Sequence, residues 1–140
     1  MSDENEFAVL DTLYEELTAA ATVGDFERYA SLFVETGTLM PPGSSVVAGR
    51  PAVRDWFERF LKEYELQVAT FNVDDRAIGD TVAFCRWSAT GTYQRRGGQS
   101  FQFDQKYLDT IVRGSDGKWR LAVHMWSPNT KDWGVWADDI

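Results

Sequence analysis

The sequence has one histidine, one cysteine and four prolines in 140 residues. A lone cysteine cannot close an internal disulfide. Cys85 lies inside an apolar run and reads as a small buried apolar residue rather than a nucleophile. One His and one Cys, with no carboxylates clustered at ligand spacing, give no basis for a metal site. No Gly-rich loop leads from a strand into a helix, so nucleotide cofactors have no support and no cofactor is expected. Positive charge is also scarce: 14 Lys and Arg against 22 Asp and Glu leave a formal net charge of −8. Nucleic acid is therefore not an expected partner, because its binding rests on Lys and Arg neutralising phosphates. No apolar run approaches membrane-spanning length, and the acidic start, Met1 to Glu6, has no apolar signal region. These absences point to a soluble, cytoplasmic protein whose acidity serves solubility or a high-salt habitat.

What the chain does have is aromatic residues, six of them Trp. At this density they must pack a core, line a cavity or cover a subunit interface. The length suits one domain with a sizeable core. Residues 4–22 read as a helix, with Phe7, Leu10, Leu13, Tyr14 and Leu17 forming one apolar stripe. Gly24 breaks it and Asp25 can cap a second, short helix over residues 25–34. A brief strand, Thr38-Leu39-Met40, must end at Pro41-Pro42-Gly43. Val46-Val47 makes another. Pro51 then opens a third helix over 51–64, whose apolar face holds Val53, Trp56, Phe57, Phe60 and Leu61. The rest reads as sheet: strands over 66–78 and 81–93, the loop Arg95-Arg96-Gly97-Gly98, and a long hairpin over 99–127. The expected class is α+β, three N-terminal helices on one face of a four-stranded antiparallel meander. Residues 1–140 form a single domain.

The hairpin turns at Gly114-Ser115-Asp116-Gly117, where Asp and Gly tolerate positive φ. Its first arm alternates. One face has Phe101, Phe103, Tyr107 and Ile111 with Gln105 and Asp109 as polar members; the other has Gln102, Asp104, Lys106, Leu108, Thr110 and Val112. The second arm sets Arg120, Ala122, His124 and Trp126 against Trp119, Leu121, Val123 and Met125.

The Gly24-Asp25 break, Phe33, Thr38-Leu39-Met40-Pro41-Pro42, Gly49-Arg50-Pro51-Ala52-Val53 and the closing Asp116-Gly117-Lys118-Trp119-Arg120-Leu121 with Trp126-Ser127 resemble the nuclear transport factor 2-like superfamily, in its SnoaL-like, ketosteroid-isomerase-like group. The resemblance covers about residues 7–129 and leaves 1–5 and 129–140 as terminal extensions. It implies a cone-shaped α+β barrel of strongly curved antiparallel sheet closed by three helices, with a deep apolar pocket and commonly a homodimer through the outer sheet face. It does not fix an activity, since isomerases, cyclases, dehydratases and non-catalytic scaffolds share the fold. In ketosteroid isomerases a carboxylic acid on the penultimate strand binds the oxyanion, and Asp104 fits that position. The base position is occupied by Pro41, which cannot abstract a proton. The oxyanion-binding tyrosine aligns near Leu17, with Tyr14 one turn earlier on a similar face.

Carrying the parity of Asp104 across the sheet places Gln102, Asp104, Lys106, His124 and Trp126 in the concave pocket, with Trp87 from the preceding strand. Tyr14, Phe33, Trp56, Phe57, Phe60 and Met40 complete an apolar wall around few polar groups, the usual composition of a small-molecule site. Asp104 and His124 read either as an acid–base dyad or as a structural hydrogen bond. Lys106 reads as an anion ligand or as a stem along the wall. Trp133 and Trp136 plug the mouth, pack on a partner, or simply pack on the surface as part of a terminal segment. Three functions follow: a cofactor-independent isomerase, cyclase or dehydratase acting on a small hydrophobic carbonyl compound; a non-catalytic binding module; or a dimeric scaffold whose outer sheet face bears Phe101, Phe103 and Tyr107.

Overall fold

The computed structural model describes residues 3–137. The elements run α1 (Asp3–Val23), α2 (Phe26–Ser31), β1 (Phe33–Met40), β2 (Val47–Ala48), α3 (Arg50–Glu63), β3 (Tyr64–Ile78), β4 (Val82–Arg95), β5 (Ser100–Arg113) and β6 (Trp119–Pro128), then a short 3₁₀ turn, Gly134–Ala137. The class is α+β as expected, with one curved, unclosed six-stranded sheet in the order β2-β1-β6-β5-β4-β3. The long meander β3 to β6 is antiparallel throughout. β1 joins it parallel to β6, so the sheet is mixed at that seam.

Local signals in the sequence set the helix boundaries. Gly24 takes φ +78° and ends α1. Asp25 caps α2 by accepting a hydrogen bond from the Arg28 backbone N–H at 3.0 Å. Pro51 stands in the first turn of α3, where its missing N–H costs nothing. Each helix buries one stripe: Leu10, Leu13, Tyr14 and Leu17 on α1, Tyr29 and Ala30 on α2, and Val53, Trp56, Phe57, Phe60 and Leu61 on α3. Each fully buried large apolar side chain of this kind stabilises the fold by about 1.5–3 kcal/mol.

The second helix is shorter than expected. Phe33 and Val34 leave it to begin a strand of eight residues, because the segment pairs with β6 (Phe33 opposite Leu121, Leu39 opposite His124). Non-local pairing overrides the helical spacing there. Tyr64 likewise opens β3 rather than closing α3.

The sheet bends where its register slips. β3 has irregularities at Val68/Thr70 and Val73/Asp75. Opposite the first stands Gly91, where any Cβ would overlap the Gln67 carbonyl oxygen and the Phe103 ring. A bulge at Ala122 falls between the pairs Thr110–Val123 and Ile111–Leu121, so Leu121 and His124 both point inward instead of to opposite faces.

The faces of β5 are the reverse of the expected assignment, whereas Trp87 on β4 and His124 and Trp126 on β6 face inward as expected. Phe103, Gln105, Tyr107, Asp109 and Ile111 are buried on the concave side, whereas Gln102, Asp104, Lys106, Leu108 and Thr110 face outward. The buried stripe is the one with the large aromatics, as the hydrophobic effect requires. At the turn, Asp116 accepts hydrogen bonds from the Lys118 backbone N–H and from Arg120. The Arg120 and Lys118 bonds hold its carboxyl down to about 2 from an ordinary 3.8. That contribution to turn stability is present above pH 3.8 and fades as pH falls toward 2.

Candidate active site

The deepest polar group is Asp109 on β5, with 0% of its surface exposed. An ionised carboxylate in such a place must be satisfied by hydrogen bonds. Three elements supply them. The Tyr14 hydroxyl on α1 donates to Oδ2 at 2.5 Å, Trp87 Nε1 on β4 donates to the same oxygen at 2.8 Å, and His124 Nδ1 on β6 lies 2.7 Å from Oδ1. The register makes this possible: Asp109 stands directly opposite His124, and Trp87 directly opposite Tyr107.

With a carboxylate as its partner, Nδ1 is the ring nitrogen placed to donate, and Nε2 faces away from Asp109. Nε2 has no protein partner among the described residues. Burial, and then the charge of Asp109, push the Tyr14 phenol far above its ordinary value, so it remains a neutral donor. Burial likewise raises Cys85 to about 11, which keeps this thiol protonated and unreactive at neutral pH. A second buried group lies farther along β5. Gln105 Oε1 accepts from Tyr107 at 2.6 Å and from Tyr93 at 3.1 Å.

Around His124 the rings form a cage. Trp126 lies 5.0 Å away, Tyr107 5.7 Å and Trp87 6.1 Å, and Trp87 stacks on Tyr107 at 3.6 Å. These rings border a cavity of about 70 Å³. Its walls include Tyr29, Trp56, Phe57, Phe60 and Trp136. Trp136 arrives from the tail: it stacks on Phe60 at 5.7 Å and on Trp56 at 6.3 Å, and meets Trp126 edge-on at 5.4 Å. The tail therefore adds Trp136 to the cavity wall, while Trp133 stays exposed outside.

Several expected residues fall on these walls: Trp56, Phe57, Phe60, Trp87, His124 and Trp126. Tyr14 and Phe33 are buried behind them, Tyr14 as a ligand of Asp109 and Phe33 edge-on to His124. Three do not join. Met40 pairs with the exposed Met125, the buried neighbour in that strand being Leu39. Asp104 is exposed on the outer face, where Asn129 donates to it. Lys106 donates to the same Asn129 and is exposed beside it. The carboxylate opposite His124 is thus Asp109 and not Asp104. The sequence did contain the signal, as Asp109 and Gln105 were the two polar residues in an aromatic stripe. Arg95 and Arg96 anchor their loop, Arg95 to the Tyr64 hydroxyl and Arg96 to the Leu61 carbonyl and Glu65.

Asp109→Ala would leave three buried donors without an acceptor, and a loss of about 3–5 kcal/mol is expected in urea denaturation. Asp109→Asn, which keeps an acceptor for Tyr14 and Trp87, is expected to lose about 1 kcal/mol. Equal stability of Asp109→Ala and wild type would show that the network contributes nothing.

The family model for the SnoaL-like domain matches residues 14–122. No curated protein matches the sequence. Among solved structures, a ketosteroid isomerase-like protein from Erwinia carotovora atroseptica superposes with a TM-score of 0.82 at 18% identity, covering 89% of this chain and 97% of that one. A candidate dehydratase of the NTF2-like family from Streptomyces avermitilis gives 0.77 at 16% identity, over 91% and 99% of the two chains. A candidate scytalone dehydratase from Novosphingobium aromaticivorans gives 0.77 at 18%, over 93% and 89%. At these identities the likeness is one of fold. With the match over residues 14–122, the chain belongs to the SnoaL-like domain family, and its cone of sheet and three helices are the fold of these solved structures.

Proposed function

We propose that the protein is a cofactor-independent acid–base enzyme, an isomerase, cyclase or dehydratase acting on a small hydrophobic carbonyl compound. The observation that carries this reading is the Asp109–His124 pair at the wall of an aromatic cavity, with His124 Nε2 left without a protein partner. In the reaction, His124 Nε2 takes a proton from the carbon next to the carbonyl. The C–H electron pair becomes the C=C bond of an enolate and the charge moves to oxygen. The proton then returns at another carbon in isomerisation, or the enolate expels a neighbouring hydroxyl, protonated by the imidazolium, in dehydration. Asp109 fixes the tautomer and stabilises the imidazolium. Tyr14 and Trp87 hold Asp109 in place and act through it.

A simple test is exchange of the methyl protons of acetophenone in D2O, followed by proton NMR. Wild type is expected to accelerate exchange and His124→Ala to lose about 100-fold or more of that rate. No acceleration with acetophenone or other one-ring ketones would reduce the cavity to a binding module.

The outer sheet face supports a second copy of the chain as partner. Phe84, Leu108 and Met125 are each at least 36% exposed and Val82 is 55% exposed. Leu108 stands opposite Met125 across one strand boundary and beside Arg86 across the other, so the patch crosses three strands. Phe101, Phe103 and Tyr107, expected on that face, point into the cone instead. Sedimentation is expected to give a dimer, and Leu108→Lys a monomer of unchanged fold. A monomeric wild type would remove the proposal.

A further inference from the structure

The Tyr29 hydroxyl has no hydrogen-bond partner among the described residues. The residue is 5% exposed, and a phenol O–H buried to that degree is usually paired. It differs from the indole N–H groups of Trp126 and Trp136, which are closed off even from water. The hydroxyl is not closed off in that way, and its ring is part of the cavity wall. What is open at the oxygen therefore opens into the cavity. Local structure fixes the ring: Asp25 caps α2, and Tyr29 stacks on Phe57 at 4.0 Å and tilts against Phe33 at 5.5 Å.

Tyr29 and His124 belong to one end of the cavity. Phe33 meets both rings, that of His124 edge-on at 6.2 Å. Phe33 opens β1, the sheet neighbour of the strand that holds His124. The way in lies at the other end. Thr18 and Phe71 border both the cavity and the groove outside α1, which puts the mouth between α1 and β3, three strands from β6. Burial, and then the neighbouring Asp109 and Tyr93, hold the Tyr29 phenol above its ordinary value, so it stays a neutral donor. Among the described residues, no lysine or arginine lines the cavity. A carboxylate ligand would lose its water near the buried Asp109 and meet no fixed cation, whereas a neutral carbonyl oxygen needs only a donor. The cavity of about 70 Å³ is small against the roughly 300–1,000 Å³ common for drug-sized ligands, and it suits a body of one ring.

We infer that the Tyr29 hydroxyl is the oxygen-binding group of the cavity, donating to the neutral carbonyl of a one-ring compound at the end where His124 stands. The inference rests on the acid–base reading of His124 for its chemistry but not for its binding. In the reaction His124 Nε2 takes the carbon-bound proton, the C–H electron pair becomes the C=C bond, and charge develops on the oxygen that Tyr29 holds. Tyr29 keeps its own proton throughout. The short second helix is then part of the site, because it supplies this donor.

The test uses the full chain, its Tyr29→Phe variant and three probes of matched shape: acetophenone, α-methylstyrene, in which C=CH2 replaces C=O, and benzoate. Wild type is expected to bind acetophenone about tenfold more tightly than α-methylstyrene, with benzoate weaker than both. Carbonyl-¹³C acetophenone is expected to move its carbonyl signal downfield on binding, as a carbonyl does when it accepts a hydrogen bond. Tyr29→Phe keeps the ring and removes only an unpartnered hydroxyl, so its melting temperature and its affinity for the alkene are expected to stay at the wild-type values. It is expected to lose the ketone preference and the downfield shift together, and to slow methyl exchange about 100-fold. A wild-type ketone preference and carbonyl shift retained in Tyr29→Phe would overturn the inference. So would equal affinity of wild type for ketone and alkene, benzoate bound as tightly as the ketone, or no binding of acetophenone. Failure of the two readings looks different. A ketone preference that depends on Tyr29, without methyl exchange, keeps the oxygen site and removes the base. Exchange that is lost in His124→Ala but unchanged in Tyr29→Phe keeps the base and removes the oxygen site.

Discussion

The burial of one carboxylate constrains the rest of this structure. Asp109 has no access to water, so folding must deliver donors to both of its oxygens. They come from α1, β4 and β6, which means that the helix layer and three strands must be in register at once for the group to be satisfied. Tyr14 is locked as a phenol, Trp87 is held edge-on to it at 5.5 Å, and His124 is left with one tautomer. A structural requirement thereby fixes the imidazole at the cavity wall. The same bonds that make the carboxylate tolerable orient the imidazole toward the cavity.

The rest of the cone supplies volume and closure. Gly91 and the slips in β3 let the sheet curve tightly enough for aromatic rings from β4, β5 and β6 to converge. Rings from α3 cap them, and Trp136 packs on Phe60 beside them. The cavity that results is small, dry-walled and polar at few points. In such a setting an unpaired N–H or a free imidazole nitrogen counts for far more than it would in water. The convex face carries the exposed apolar side chains Phe84, Leu108 and Met125, and the concave face the cavity.

How much of this could be read from the chain depended on how local the cause was. Gly24, Asp25 and Pro51 announced helix ends, because caps and breaks act within a turn. The meander and its Asp116-Gly117 turn were legible for the same reason. The stretch from Phe33 was not, since its helical spacing yields to parallel pairing with β6, more than eighty residues away in sequence. The site was half legible. His124, Trp126 and Trp87 were placed in the cavity by carrying across the sheet a parity taken from Asp104, a position the family resemblance supplied, but Asp104 was preferred to Asp109. Parity says that one face of a strand is buried, and only the sizes of Phe103, Tyr107 and Ile111 say which. The bulge at Ala122 hid the remaining clue, because it breaks strict alternation between Leu121 and His124. Gln105, Tyr93 and Tyr107 form a network that no short motif marks.

The central claim is that Asp109 fixes His124 with its proton on Nδ1 and Nε2 free. Long-range ¹H–¹⁵N correlation on protein labelled with ¹⁵N-histidine reads this directly, and the chain has one histidine, so assignment is immediate. The account predicts a pyrrole-type Nδ1 and a pyridine-type Nε2 at neutral pH, with the Nδ1 proton lost from its downfield position in Asp109→Ala. A protonated Nε2 with a bare Nδ1 would contradict it, because the ring nitrogen facing Asp109 would then have no proton to donate to it.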